Sequence, residues 1–185
     1  KADFPQLRIC LLLDGLYAGM PTVKKCNEHK WKCIITFKQG SMPEVWNEYA
    51  SLQKLQPENT AEVIEPELEL RQHYRWVTDI GFRGPRFDVV ECSESKPARG
   101  GGIEETGFVW LTNFHTAEYN FKAIAKGGRL RWKIENEGFN MQKTGGYNLE
   151  HAYSEHPVGL KNFYLALQIA HIISQLMEKG SLLKG

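Results

Sequence analysis

The sequence predicts an α/β fold, a sheet with helices packed on it, on three observations. Leu7 to Leu13 is a nearly continuous apolar run, which suits a strand buried on both faces. A helical segment from Pro21 and a second apolar run, Trp31 to Lys38, follow it, so the opening reads strand–helix–strand. From Thr116 onward the apolar spacing turns helical.

Each element has its own local reason. Asp14-Gly15 ends the first strand, and a carboxylate there stands at the edge of the sheet, where sites in open α/β sheets gather. Pro21 suits the first position of a helix, with Val23 and Cys26 facing inward and Lys24, Lys25 and Glu28 outward. Gly40 to Leu55 reads as a second helix with Val45, Trp46, Tyr49 and Leu52 on one side. Short antiparallel strands are expected at Leu68 to Leu70, Tyr74 to Ile80 and Phe87 to Cys92, with turns at Gly81, Gly84 and Pro85. Ser93 to Gly102 reads as a polar loop and Phe108 to Phe114 as one more strand. Its triple glycine lacks the lysine and helix start of a phosphate loop. Thr116 is placed as an N-cap, and Gly127-Gly128 as a break before a helix from Arg129 to Lys143. In that helix Leu130, Ile134 and Met141 form one stripe, beside Arg131, Glu135, Phe139 and Gln142. Thr144-Gly145-Gly146 stops it. A last helix spans Leu160 to Lys179, with Phe163, Tyr164, Leu167, Ala170, Ile173 and Met177 inward.

The 185 residues suit one domain, or one domain with an insertion. Hydrophobic residues make up 42% and the net charge is +1, so the total charge does not announce a nucleic-acid binder, although local clusters count for more. Cys10, Cys26, Cys33 and Cys92 form no CxxC pair and no signal-peptide pattern precedes them, which reads as reduced thiols in a cytoplasmic protein. Cys26, His29 and Cys33 show no evident fourth ligand for zinc. No apolar run reaches the ~20 residues of a membrane span; Leu160 to Met177 is broken by polar side chains.

The chemistry-bearing stretch is RLRWKIENEGFN, Arg129 to Asn140. Arg131 and Glu135 stand one helical turn apart and project from one face. An arginine beside a carboxylate favours the ionised form, as a metal ligand requires. The same spacing also describes an ordinary ion pair on a solvated helix. Glu137 is the rival of Glu135, about 200° around a regular α-helix, so the two cannot face one metal.

With these residues on the page, the chain resembles the C-terminal part of a DDE transposase of bacterial insertion sequences, from the branch with a β-strand insertion. LLLDGLYAG resembles that family's second catalytic aspartate motif, and RWKIENEGFNMQK its catalytic glutamate motif; FVWLTNF and NLEHAYS also have counterparts. The resemblance covers nearly the whole chain. It implies a ribonuclease-H-like catalytic core, partial and lacking the first strands, with a β-rich insertion and C-terminal helices. The implied division is 1–39 partial core, 40–114 insertion, and 115–185 helices with the glutamate. Asp14 and Glu135 would be two of three acids holding Mg²⁺ or Mn²⁺. Arg131 would be the arginine of a Tyr-Arg-Glu-Lys signature that contacts DNA. The signature's tyrosine position falls on Gly128 and its lysine position on Gln142, with Lys143 one residue along.

That reading implies a DNA-cutting and -joining enzyme acting on transposon ends and target DNA in the bacterial cytoplasm. Lys24, Lys25, Lys30, Lys32, Arg129, Arg131, Lys133 and Lys143 are the basic candidates for DNA contacts. No segment upstream of Asp14 supplies the first acid, so the expectation is a fragment or truncated product, inactive alone. Its open edge predicts aggregation or a homodimer through Leu7 to Leu13. The alternative is an inactive remnant serving as a DNA-binding or assembly module. A two-carboxylate glycosidase is disfavoured, because an arginine beside the glutamate opposes the protonated state a general acid needs.

Overall fold

A computed structural model describes residues 7–98 and 100–180. The chain forms two compact units, Lys1–Arg131 and Trp132–Gly185. In the first lie β1 (Cys10–Leu13), α1 (Met20–Glu28), β2 (Lys32–Thr36), α2 (Pro43–Leu52), β3 (Thr60–Glu65), β4 (Leu70–Gly81), β5 (Arg86–Pro97) and β6 (Ile103–Thr112). Helix α3 (Phe121–Lys133) ends that unit; a π-helical turn (Ile134–Phe139), α4 (Asn140–Thr144) and α5 (Pro157–Lys179) follow.

The fold is mixed α/β. Among the described residues six strands form one sheet in the order β1-β2-β6-β5-β4-β3. Of its neighbouring pairs only β1 and β2 run parallel, joined through α1, with Leu13 opposite Ile35; the others are antiparallel. The strands of the middle segment thus continue the sheet that β1 and β2 begin.

The alternation of side chains along strands gives the sheet two buried faces. Cys33, Ile35, Val77, Val89 and Leu111 pack with Val23 and Cys26 of α1 and Val45 and Tyr49 of α2. Ile34, Trp76, Val90 and Trp110 face the other way and pack with Phe121, Ile124 and Ala125 of α3. Phe121 stacks on Trp76 at 4.8 Å between centroids, with the planes 8° apart.

Several local expectations give way for identifiable reasons. Strand β1 is only half-buried, because it is the edge strand among the described residues. The sheet gains β3, whose alternation is masked by exposed glutamates; β5 runs on to Pro97 into what reads as a polar loop, and β6 begins at Ile103, ahead of the expected Phe108. Thr116 is not an N-cap: it is buried, and its N–H donates to Asp88 Oδ2 at 2.5 Å, five residues before α3 begins. Helix α3 runs straight through Gly127-Gly128. Those glycines are places of close approach. A Cβ on Gly127 would lie 2.8 Å from Ile34 Cδ1, and one on Gly128 would enter the Trp110 indole.

In the second unit neither expected stripe is buried as a whole: Gln142 is buried, while Ile134, Met141, Glu135 and Phe139 are exposed and Trp132 is half-exposed. The six-residue π turn breaks the regular α-helical angular count on which the stripes rest. On α5, Leu167 and His171 are buried, whereas Phe163, Tyr164, Ile173 and Met177 are exposed among the described residues. No helix among the described residues is long and apolar enough to cross a membrane.

Candidate functional site

Asp14 follows β1 directly. Its Oδ1 accepts the Gly15 N–H at 2.6 Å, so the carboxylate caps the 3-10 turn Gly15–Tyr17. The turn is closed by Tyr17 N–H to the Asp14 carbonyl at 2.9 Å and Ala18 N–H to the Gly15 carbonyl at 3.1 Å. Gly15 abuts the end of β2: a Cβ there would meet the Thr36 carbonyl oxygen at 3.3 Å and Lys38 Cδ at 3.9 Å. Asp14 therefore stands at the carboxyl end of the parallel pair, the place where α/β sheets collect ligands. Among the described residues its Oδ2 carries no hydrogen bond.

The turn after Asp14 carries side chains that sequence reading passed over. Leu16 is 92% exposed and Tyr17 56% exposed. Lys38 is exposed and has no ion pair among the described residues. The signal was present in LDGLY, where two large apolar residues follow the aspartate without a helix or strand to bury them.

The remaining basic candidates of the first unit differ in availability. Lys24 and Lys30 carry no ion pair among the described residues. Lys25 pairs with Glu28 at 3.4 Å. Lys32 donates to the Asn113 carbonyl at 2.8 Å and lies over the Phe114 ring at 5.1 Å. Arg129 pairs with Glu94 and covers the Phe108 ring at 4.7 Å. Glu94 in turn accepts from Gln72 Nε2 at 2.6 Å, and Gln72 accepts from Tyr74 OH at 3.0 Å. Arg129 is thus part of an internal network on the sheet. Arg131 is buried near the end of α3.

Glu135 lies in the second unit, exposed on the π turn, and its carbonyl accepts the Asn140 N–H, the five-residue step that defines a π-helix. Such turns recur at functional sites, because the extra residue re-aims neighbouring side chains. Glu137, the rival, pairs with Lys133 at 3.2 Å. At the position of the signature's lysine, Gln142 turns inward. Its Nε2 lies 2.8 Å from Gln168 Oε1 and 2.7 Å from His171 Nδ1, and its Oε1 accepts from Gln168 Nε2 at 3.0 Å. Lys143 pairs with Glu150 at 2.7 Å.

The other aspartates of the sheet have structural work. Buried Asp88 accepts from Asp79 N–H at 2.9 Å through Oδ1 and holds the Thr116 N–H through Oδ2. It thereby ties the irregular register of β4, where Asp79 has φ 66°, to the turn leading into α3. Cys33 is pushed up to about 12, first by burial and then by Cys26, and Cys92 to about 11, chiefly by burial. These thiols are inert packing groups at neutral pH. Among the described residues no group of three or more His, Cys, Asp or Glu side chains is placed to hold a metal. Compared with known proteins, the chain matches no family model and no curated protein.

Proposed function

We propose that this chain is the C-terminal part of a DDE transposase with a ribonuclease-H-like core, whose parent enzyme cleaves and joins DNA by metal-dependent phosphoryl transfer. The observation that carries the reading is the place of Asp14, a carboxylate with an open oxygen at the carboxyl end of the parallel β1–α1–β2 unit. The motif around Arg131 and Glu135 supports it, as does the π turn that carries Glu135. Carboxylate oxygens are the hard donors that Mg²⁺ takes, so Asp14 of the first unit and Glu135 of the second are each, on the resemblance, candidate ligands. The metal would activate the attacking oxygen and stabilise the leaving one. Lys24 and Lys30 are the side chains best placed to meet phosphate, since neither is engaged with a carboxylate among the described residues.

A second reading is favoured by one specific observation. Gln142 is locked against Gln168 and His171, and Lys143 is held by Glu150, so the side chains at the signature's lysine position are both engaged within the second unit. A chain that keeps the acids while its lysine position is built into the fold fits an inactive module that holds DNA or pairs with a second copy. The two readings share DNA as partner and differ in catalysis.

A salt titration of duplex binding and a Mg²⁺-dependent strand-transfer assay test both. Binding should fall steeply with salt, because each neutralised phosphate releases counterion; a flat response overturns the DNA reading. Strand transfer that needs Mg²⁺ and is lost in Asp14→Asn and in Glu135→Gln supports the catalytic reading; salt-dependent duplex binding without strand transfer supports the inactive module.

A further inference from the structure

We propose that Leu16 and Tyr17 form a wedge for an unpaired nucleobase, with Lys38 holding an adjacent phosphate, so that Asp14 acts on DNA whose end is opened. This rests on the reading of the chain as a DNA-handling core. Leu16 and Tyr17 add little to the buried core, because both are largely exposed among the described residues. Nor are they on a loose loop. The Asp14 carboxylate caps the turn, two backbone hydrogen bonds close it, Gly15 is pressed against the Thr36 carbonyl, and the buried Ala18 anchors its far end. The fold therefore holds an aliphatic and an aromatic side chain rigidly outward, in sequence with the proposed metal-binding carboxylate.

Apolar surface kept exposed and preorganised beside a carboxylate calls for a ligand with an apolar face and a phosphate. A nucleobase offers the first in every sequence, since all bases have a π face on which an aromatic ring can stack. Aliphatic wedges similarly insert between base steps and unstack them. Lys38, at the same edge and without an ion pair among the described residues, supplies the charge for the phosphate beside that base. The surrounding charge favours nucleic acid over an acidic peptide groove elsewhere on the sheet. Residues 1–40 hold seven Lys and Arg against three Asp and Glu, and residues 41–70 hold one against seven.

The test uses the full chain and two fluorescein-labelled duplexes of one sequence, one blunt and one with an unpaired 2-aminopurine at its end. The unsubstituted chain should bind the opened duplex more tightly and quench the 2-aminopurine. Tyr17→Ala should weaken binding to the opened duplex by roughly tenfold, in the range of one lost base–aromatic stack, and restore the emission. Tyr17→Phe should behave as the unsubstituted chain, which a structural role of the hydroxyl would not allow. Leu16→Ser should reduce the preference with an unchanged melting temperature. Lys38→Gln should weaken both duplexes alike and lower the salt slope by about one phosphate contact. If the unsubstituted chain binds DNA but does not distinguish the duplexes, or if Tyr17→Ala keeps both preference and quenching, this inference fails alone. If it binds neither duplex, the DNA reading fails with it.

Discussion

The two ends of the sheet are built on different terms. At one end β1 and β2 run parallel, β1 has only four residues, and the strand is half-buried. At the other, β4 and β5 are twelve residues each, antiparallel, and sandwiched between α2 and α3. The short end carries Asp14, the basic side chains and the exposed Leu16-Tyr17 turn. The long end carries the fully buried Val77, Ile80, Phe87, Val89 and Val90 and an acidic margin along β3, with Glu62 and Glu65. The deepest packing and the exposed carboxylate turn are thus separated along one sheet. Edge strands and functional loops can be thinly held because the antiparallel half supplies the cooperative core.

The sharpest way to break that comparison is to cut one leucine from the antiparallel middle of the sheet and one from its parallel edge. Leu111→Ala, at a side chain with no exposed surface, should cost about 2–5 kcal/mol in urea unfolding. Leu12→Ala, in the half-buried edge strand, should cost roughly 1 kcal/mol. Equal losses would mean that the edge strand is as much a part of the core as β6. Asp88→Ala should cost about 1–3 kcal/mol, because it strands the Asp79 and Thr116 N–H groups. A neutral result would remove Asp88 as the tie between the bulge and α3. Gly128→Ala should lose about 1–3 kcal/mol through overpacking against Trp110, although alanine is the better helix former. Gly107→Ala, with open space around it, should stay within about 0.5 kcal/mol. Similar values for the two glycines would show that helix and sheet part easily.

The smallest expected effect is alkaline. Cys33 near the parallel end and Cys92 in β5 both have thiols raised from the ordinary 9.0, to about 12 and about 11. A raised thiol pKa means the unfolded chain loses its proton first. The stabilisation is full below pH 9 and is lost as pH rises toward the folded values. Each thiol should contribute a slope of at most about 1.4 kcal/mol per pH unit in that window. Cys33→Ala and Cys92→Ala should each flatten the pH dependence of the urea midpoint between pH 9 and 11; an unchanged slope in both would rule the thiols out as its source.

What the sequence revealed follows the same division. The opening strand–helix–strand was legible because apolar runs and Pro21 act locally, and Val23, Cys26 and Ile35 lie buried as their spacing requires. The helix through Gly127-Gly128 was not, because those residues answer to Ile34 and Trp110, which are remote in sequence. Strand β3 was hidden by exposed glutamates, which carry no apolar alternation. Asp14 and Glu135 stand on the elements their motifs suggested, at a strand end and a helical turn, but the π geometry at Glu135 has no simple signature in residue type. Leu16 and Tyr17 were overlooked because an apolar pair reads as core until its exposure is known.

The glycine at 128 also constrains how this sequence can change. A tyrosine there, as the transposase signature has, would have to occupy the space of the Trp110 indole, which is stacked on Phe108 at 5.8 Å and packed under α3. A large side chain at 128 is therefore incompatible with the tryptophan the sheet carries at 110. The two positions are epistatic: a smaller residue at 110 must come first or together, and each step alone passes through a less stable protein.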